Sequence, residues 1–99
     1  MDFAVVYSAA ALADLAEITA YIAKDNAEIA ERFANRLVDL AESIRTTPGR
    51  GRRRRVKGWS DVVVLSPYLI FYRIEKPENR VEVLRFWHGA RDSETLEMS

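Results

Sequence analysis

The only histidine of the chain, His88, stands in the stretch Arg85 to Asp92, which reads RFWHGARD. An imidazole titrates near neutrality, so a histidine flanked by Arg85 and Arg91 can serve as a general acid or base beside cations that hold a phosphate. A second concentration of chemistry lies in RRRRVKGW, where Arg52, Arg53, Arg54, Arg55 and Lys57 precede Trp59. Guanidinium groups next to an indole suit an acidic or polyanionic partner. Both stretches have blander readings. A lone histidine before Gly89 can simply hold a turn by hydrogen bonding, Arg91 and Asp92 can bracket that turn as an ion pair, and arginines on an edge strand discourage pairing with other sheets.

Composition narrows the choice. With no cysteine and one histidine among 99 residues, disulfides, thiolate metal sites and a histidine-rich zinc site are excluded, and neither a metal nor a cofactor is expected. No apolar run approaches the roughly 18 residues of a membrane span, and the opening MDFAVVYS carries an acid where a signal peptide needs basic residues. A soluble, unprocessed, cytoplasmic protein without a membrane partner is expected, folded as a single domain over residues 1–99. The formal net charge is zero, but the charges are segregated. Residues 1–44 hold three basic and eight acidic side chains, residues 45–59 seven basic and none acidic, and residues 60–99 five and seven. The middle segment presents a local positive patch.

The elements that must position these residues follow from periodicity. FAVVY (Phe3 to Tyr7) is β-branched and aromatic, and Ser8 can cap a following helix. Ala11, Leu15, Ile18 and Ile22 form one helical stripe, with Asp14, Glu17 and Lys24 outside it. Asp25 and Glu28 stand at capping-box spacing, and Ala30, Phe33, Leu37, Leu40 and Ile44 make a second stripe. The short loop between them requires an antiparallel hairpin. Pro48 ends the second helix. RRRRVKG reads as an exposed strand or loop, DVVVLS (Asp61 to Ser66) and YLIFYRIE (Tyr68 to Glu75) as strands about Pro67, and RVEVLRFWH (Arg80 to His88) as the last strand. Strict alternation places Val81, Val83, Arg85 and Trp87 on one face of that strand, and Glu82, Leu84, Phe86 and His88 on the other. Apolar residues on both faces imply that the second face is partly covered.

The expected fold is therefore α+β: an N-terminal strand, then an antiparallel two-helix hairpin packed on one face of a mainly antiparallel three- to four-stranded sheet.

Three stretches, VVYSAAALADLAEITAYIAKDN, PYLIFYRI and VEVLRFWHGARD, together resemble the RelE/ParE superfamily of toxins from bacterial type II toxin-antitoxin systems, closer to ParE. The resemblance spans almost the whole chain and implies the same fold. It implies two alternative activities. A ParE-like protein binds and poisons DNA gyrase without established chemistry of its own, whereas a RelE-like protein is a ribosome-dependent mRNA interferase. The RelE-like reaction would fall to His88 with Arg85 and Arg91, yet no tyrosine follows Tyr72, and the tail reads SETLEMS where RelE-like tails carry one. The gyrase-binding reading leads, with Arg85, Trp87, His88 and Arg91 as target-binding residues and no catalytic residue assigned. A third reading is a family member that binds its antitoxin but is not toxic. The implied partner is a cognate antitoxin, whose acidic segment meets Arg52, Arg53, Arg54, Arg55, Lys57 and Trp59. Operator DNA is then reached only through that antitoxin.

Overall fold

In the computed structural model of the chain, residues 3–48, 52–55 and 59–89 are described, with backbone alone for 52–55, 59 and 60. Strand β1 (Ala4–Tyr7) leads into helix α1 (Ala9–Ala23), and helix α2 (Ala27–Ser43) follows within three residues. Strands β2 (Arg52–Arg55), β3 (Trp59–Leu65), β4 (Tyr68–Glu75) and β5 (Arg80–His88) complete the order. The sheet runs β1-β5-β4-β3-β2. The last four strands are antiparallel neighbours, as expected, and β1 joins as a fifth strand parallel to β5.

Local chemistry explains the boundaries. Ser8 caps α1, its Oγ accepting from the Ala11 N–H at 3.0 Å. The cap of α2 is Asn26, which accepts from the Ile29 N–H at 3.1 Å, so the capping-box reading at Asp25 is one residue early. The turn between β4 and β5 is a 3-10 turn at Lys76–Glu78, closed by Asn79 at φ 53°. A left-handed residue is tolerated there because asparagine adopts that region more readily than other side chains. Pro67 sits between β3 and β4 after a cis peptide bond.

Both helical stripes face the sheet. Ala11, Leu37, Ala41 and Ile44 are buried against Val63, Ile70, Tyr72, Val81, Val83 and Phe86, with Leu15, Ile18, Phe33 and Leu40 around them. The opposite face of the sheet carries a second cluster of Val62, Phe71, Leu84 and Trp87, flanked by Leu69. The second face is thus partly covered, as the apolar content of both faces implied, with Val64 left exposed.

Strand β5 departs from simple alternation. Its register with β4 passes from Tyr72 opposite Val83 to Phe71 opposite Arg85, leaving Leu84 as an extra residue. Such a bulge reverses the facing of every residue beyond it. Val81 and Val83 face the helices, but so does Phe86, while Leu84 and Trp87 belong to the other face. The expected grouping of Val81 and Val83 with Trp87 is corrected accordingly.

Candidate functional site

The end of β5 is where the sequence concentrates chemistry, and α1 shapes it. β1 pairs with β5 only from Arg80 to Val83. Beyond that point the edge of β5 would lack a neighbour, and a strand edge without partners leaves polar backbone groups unmatched. The first turns of α1 take over. The Ser8 N–H donates to the Val83 carbonyl at 3.0 Å, and the Ser8 hydroxyl donates to the Leu84 carbonyl at 2.8 Å. Two turns along α1, Asp14 Oδ2 accepts from the Phe86 N–H at 3.1 Å. Ser8 therefore both caps the helix and fastens it to the bulge.

Asp14 has a second ligand. Arg85 Nε donates to Asp14 Oδ2 at 2.6 Å and Nη2 donates to Oδ1 at 2.8 Å, a two-pronged contact in the geometry that suits guanidinium and carboxylate. Both side chains are mostly buried, at 16% and 13% exposure. The hydrogen bond to Asp14 holds the Arg85 guanidinium above its ordinary pKa, burial acting in the opposite direction. The same guanidinium lies 5.1 Å from the centre of the Trp87 ring. Trp87 as a whole is 8% exposed, part of the second cluster.

His88 lies on the helix-facing side, where its ring meets Tyr68 edge-on at a centroid separation of 5.2 Å. The next residue, Gly89, donates its N–H to the Pro67 carbonyl at 2.7 Å. A Cβ at Gly89 would come within 3.1 Å of that carbonyl oxygen, so the close approach favours glycine. His88 and Tyr68 form one wall of a groove of about 780 Å³ whose other wall is α1, including Asp14, Glu17, Ile18 and Tyr21, with Phe33 of α2 beyond. Lys24 also lines it, with its Nζ 5.9 Å from the Tyr21 ring centre.

The residues singled out from the sequence are thus partly gathered. Arg85, Trp87 and His88 lie within one strand end, with Arg85 and Trp87 in contact and His88 on the other face. Arg91, Asp92 and Lys57 lie outside the described residues. For Arg52, Arg53, Arg54, Arg55 and Trp59 the backbone alone is placed: β2 is an outermost strand, antiparallel to β3, with Arg55 opposite Trp59. Sequence reasoning missed Asp14. Its sole signal is an acid bordering the apolar stripe of a helix made largely of alanine. Among the described residues no group of three His, Cys, Asp or Glu side chains could hold a metal ion, and no helix is long and apolar enough to cross a membrane.

This fold and these residues have relatives. Residues 5–93 match the model of the ParE toxin of the parDE type II toxin-antitoxin system. The chain belongs to that toxin family. It is 37% identical over 87 residues to "Toxin RelE2" of Caulobacter vibrioides, covering 88% of this chain and 96% of that one. It is 36% identical over 80 residues to "Putative toxin Y4kP" of Sinorhizobium fredii, covering 80% of each. Among solved structures, the chromosomal ParDE system of P. aeruginosa superposes with a TM-score of 0.75 at 21% identity, over 87% of this chain and 95% of that one. The RelBE2 toxin-antitoxin complex of Mycobacterium tuberculosis gives 0.70 at 22%, over 89% and 99%. At those identities the two structures bear on the fold, which matches: a helical hairpin on a mixed sheet. The toxin is thus a member of the RelE/ParE superfamily with names of both branches among its relatives.

Proposed function

We propose that this toxin acts in the cytoplasm by binding and inhibiting DNA gyrase, without bond-breaking chemistry of its own, and that a cognate antitoxin neutralises it. One observation carries the choice between the branches: of the two arginines that an RNA-cleaving site would use with His88, Arg85 is already committed. Arg85 gives two hydrogen bonds to Asp14, and the groove that contains His88 is walled by the carboxylates of Asp14 and Glu17. A phosphodiester brought to His88 would meet the Glu17 carboxylate, and a guanidinium already neutralised by Asp14 is a poor clamp for its charge. The end of β5 suits protein recognition better. His88 and Arg91 make the contact, and Arg85 with Trp87 shape the strand that presents them.

The antitoxin is proposed to lay an acidic, otherwise disordered segment along Arg52 to Arg55, Lys57 and Trp59, so that the outermost strand β2 supplies both backbone and charge. Its apolar part packs where the hairpin and sheet leave Leu12, Ile29 and Val64 exposed. Operator DNA is reached through the antitoxin.

The mRNA interferase reading, with His88, Arg85 and Arg91, keeps a foothold because one relative bears the RelE name. Purified toxin added to gyrase without ribosomes separates the two. Accumulated cleaved DNA or lost supercoiling is expected. Rapid cutting of ribosome-bound message, with gyrase unaffected, overturns the proposal, and inactivity in both assays would mark an antitoxin-binding protein that is not toxic.

A further inference from the structure

The sheet has a gap that one side chain fills. β1 stops at the level of Val83, and among the described residues the edge of β5 from Leu84 onward is bounded by α1 instead of by a strand. Within that stretch Asp14 does two things with one carboxylate. It accepts the Phe86 N–H, as a neighbouring strand's carbonyl would, and it takes both prongs of Arg85. Arg85 follows the bulge residue Leu84, where alternation is broken and the strand's own pairing specifies facing least well. Downstream of this point lie Phe86 against the core, Trp87 in the second cluster and His88 at the groove.

We propose that Asp14 is the positioning residue of the toxin's contact strand: its carboxylate stands in for the missing strand at Phe86, fixes Arg85 over Trp87, and thereby sets the presentation of His88 to the target. The inhibitory half of this statement rests on the gyrase reading above. The structural half does not. Among the described residues, α1 and its cap Ser8 make five hydrogen bonds to this part of β5: Ser8 gives two, to the Val83 and Leu84 carbonyls, and Asp14 receives three. Asp14 is also the acceptor farthest along the strand, at Phe86. Ser8 anchors the bulge itself, so the strand beyond it depends on Asp14 alone among these contacts. A neutral carboxamide at this position keeps one oxygen for the Phe86 N–H but loses the charge, and its NH2 group faces a guanidinium that also only donates. The expected consequence is a folded toxin whose strand end is misaligned.

Asp14→Asn and Asp14→Ala are compared with the unaltered toxin in three measurements: antitoxin titration, which counts folded molecules, gyrase inhibition per antitoxin-competent molecule, and amide hydrogen exchange. Inhibition per competent molecule is expected to fall at least 10-fold in Asp14→Asn. In Asp14→Ala, exchange at Phe86, Trp87 and His88 is expected to rise at least 10-fold while that of Ile70 and Val81 stays unchanged. Inhibition equal to the unaltered toxin's, or a loss that disappears once competent molecules are counted, overturns the positioning role. If both variants fail to bind antitoxin, Arg85→Lys decides. It keeps a cation for Asp14 but not the two-pronged contact, and unimpaired inhibition by that variant overturns the proposal. Should the unaltered toxin not inhibit gyrase, the functional reading falls, and the exchange measurement still decides whether Asp14 holds the strand: protection unchanged at Phe86 sinks it.

Discussion

Asp14 and Arg85, 71 residues apart in the chain, meet through hydrogen bonds of 2.6 and 2.8 Å at the point where the parallel strand pairing ends. Removing one member of a mostly buried pair strands the other, at a cost of about 3 kcal/mol. The two members are not equivalent. Loss of Asp14 also leaves the Phe86 N–H without its acceptor, adding about 1 kcal/mol. In urea unfolding, Asp14→Ala is therefore expected to destabilise more than Arg85→Met, and the double variant less than the two summed. A coupling energy near zero, or Arg85→Met as the more damaging change, would contradict this arrangement.

That pair also marks the limit of what the sequence discloses. The helices are legible because a 3.6-residue repeat survives any tertiary arrangement, and Ala11, Leu15, Leu37 and Ile44 face the sheet as their spacing requires. The cap of α2 is legible only to within a residue, since Asp25 and Asn26 are both good capping types and the acid three residues on fits the first alone. Strand facing is a different matter. A period of two carries the pattern correctly from Val81 to Val83 and then fails, because no residue type announces the extra residue at Leu84. Asp14 looks like an ordinary polar flank until α1 is laid beside the edge of β5, and that requires knowing β1 is short and parallel.

The second face of the sheet is expected to behave as core. Phe71 is fully buried there, beside Leu84 and Trp87, just as Leu37 is fully buried under the helices. Phe71→Ala should cost about 3–5 kcal/mol and Leu37→Ala about 2–5. Comparable losses in chemical denaturation would establish two hydrophobic layers. A cost below about 1 kcal/mol for Phe71→Ala would mean that its face is open to solvent.

Tyr7 links β1 to α2, and it carries a pH dependence. Its hydroxyl donates to Glu42 Oε2 at 2.6 Å, and Arg45 binds the other oxygen of that carboxylate at 2.9 Å. Burial, followed by the hydrogen bond and charge of Glu42, pushes the Tyr7 hydroxyl well above its ordinary value near 10. The folded chain thus holds this proton more tightly than the unfolded one. The stabilisation is complete below about pH 10 and is lost as pH rises through the folded value. Melting temperature followed from pH 8 upward should fall more steeply in the unaltered toxin than in Tyr7→Phe. Parallel curves would rule out the linkage.

The outermost strand offers a test of the antitoxin surface. Arg52 to Arg55 lie in β2, which among the described strands has a neighbour on one side only. If they meet an acidic segment, changing all four to serine should weaken antitoxin binding at least 10-fold and flatten its dependence on salt. Calorimetric titration at two ionic strengths gives both quantities. An affinity unchanged by the substitutions would remove the basic run from the interface.

His88 poses the sharpest choice between chemistry and architecture. Its ring lies edge-on to Tyr68, at a centroid distance of 5.2 Å, and the following turn is closed by the Gly89 N–H on the Pro67 carbonyl. The ring contact asks for a flat side chain of about that size, and the turn is closed by backbone, so neither needs a transferable proton. Glutamine supplies a donor and an acceptor but cannot carry a proton near neutral pH. General acid or base work would fall by roughly 10²- to 10⁴-fold in His88→Gln, enough to abolish growth inhibition by a nuclease. Loss of the ring contact alone costs only about 0.5–1.5 kcal/mol of stability. At matched soluble expression, His88→Gln should therefore remain toxic on plates, with a slightly lower melting temperature. A stable, well-expressed His88→Gln protein without toxicity would make the end of β5 an active site and return the toxin to the RNA-cleaving branch.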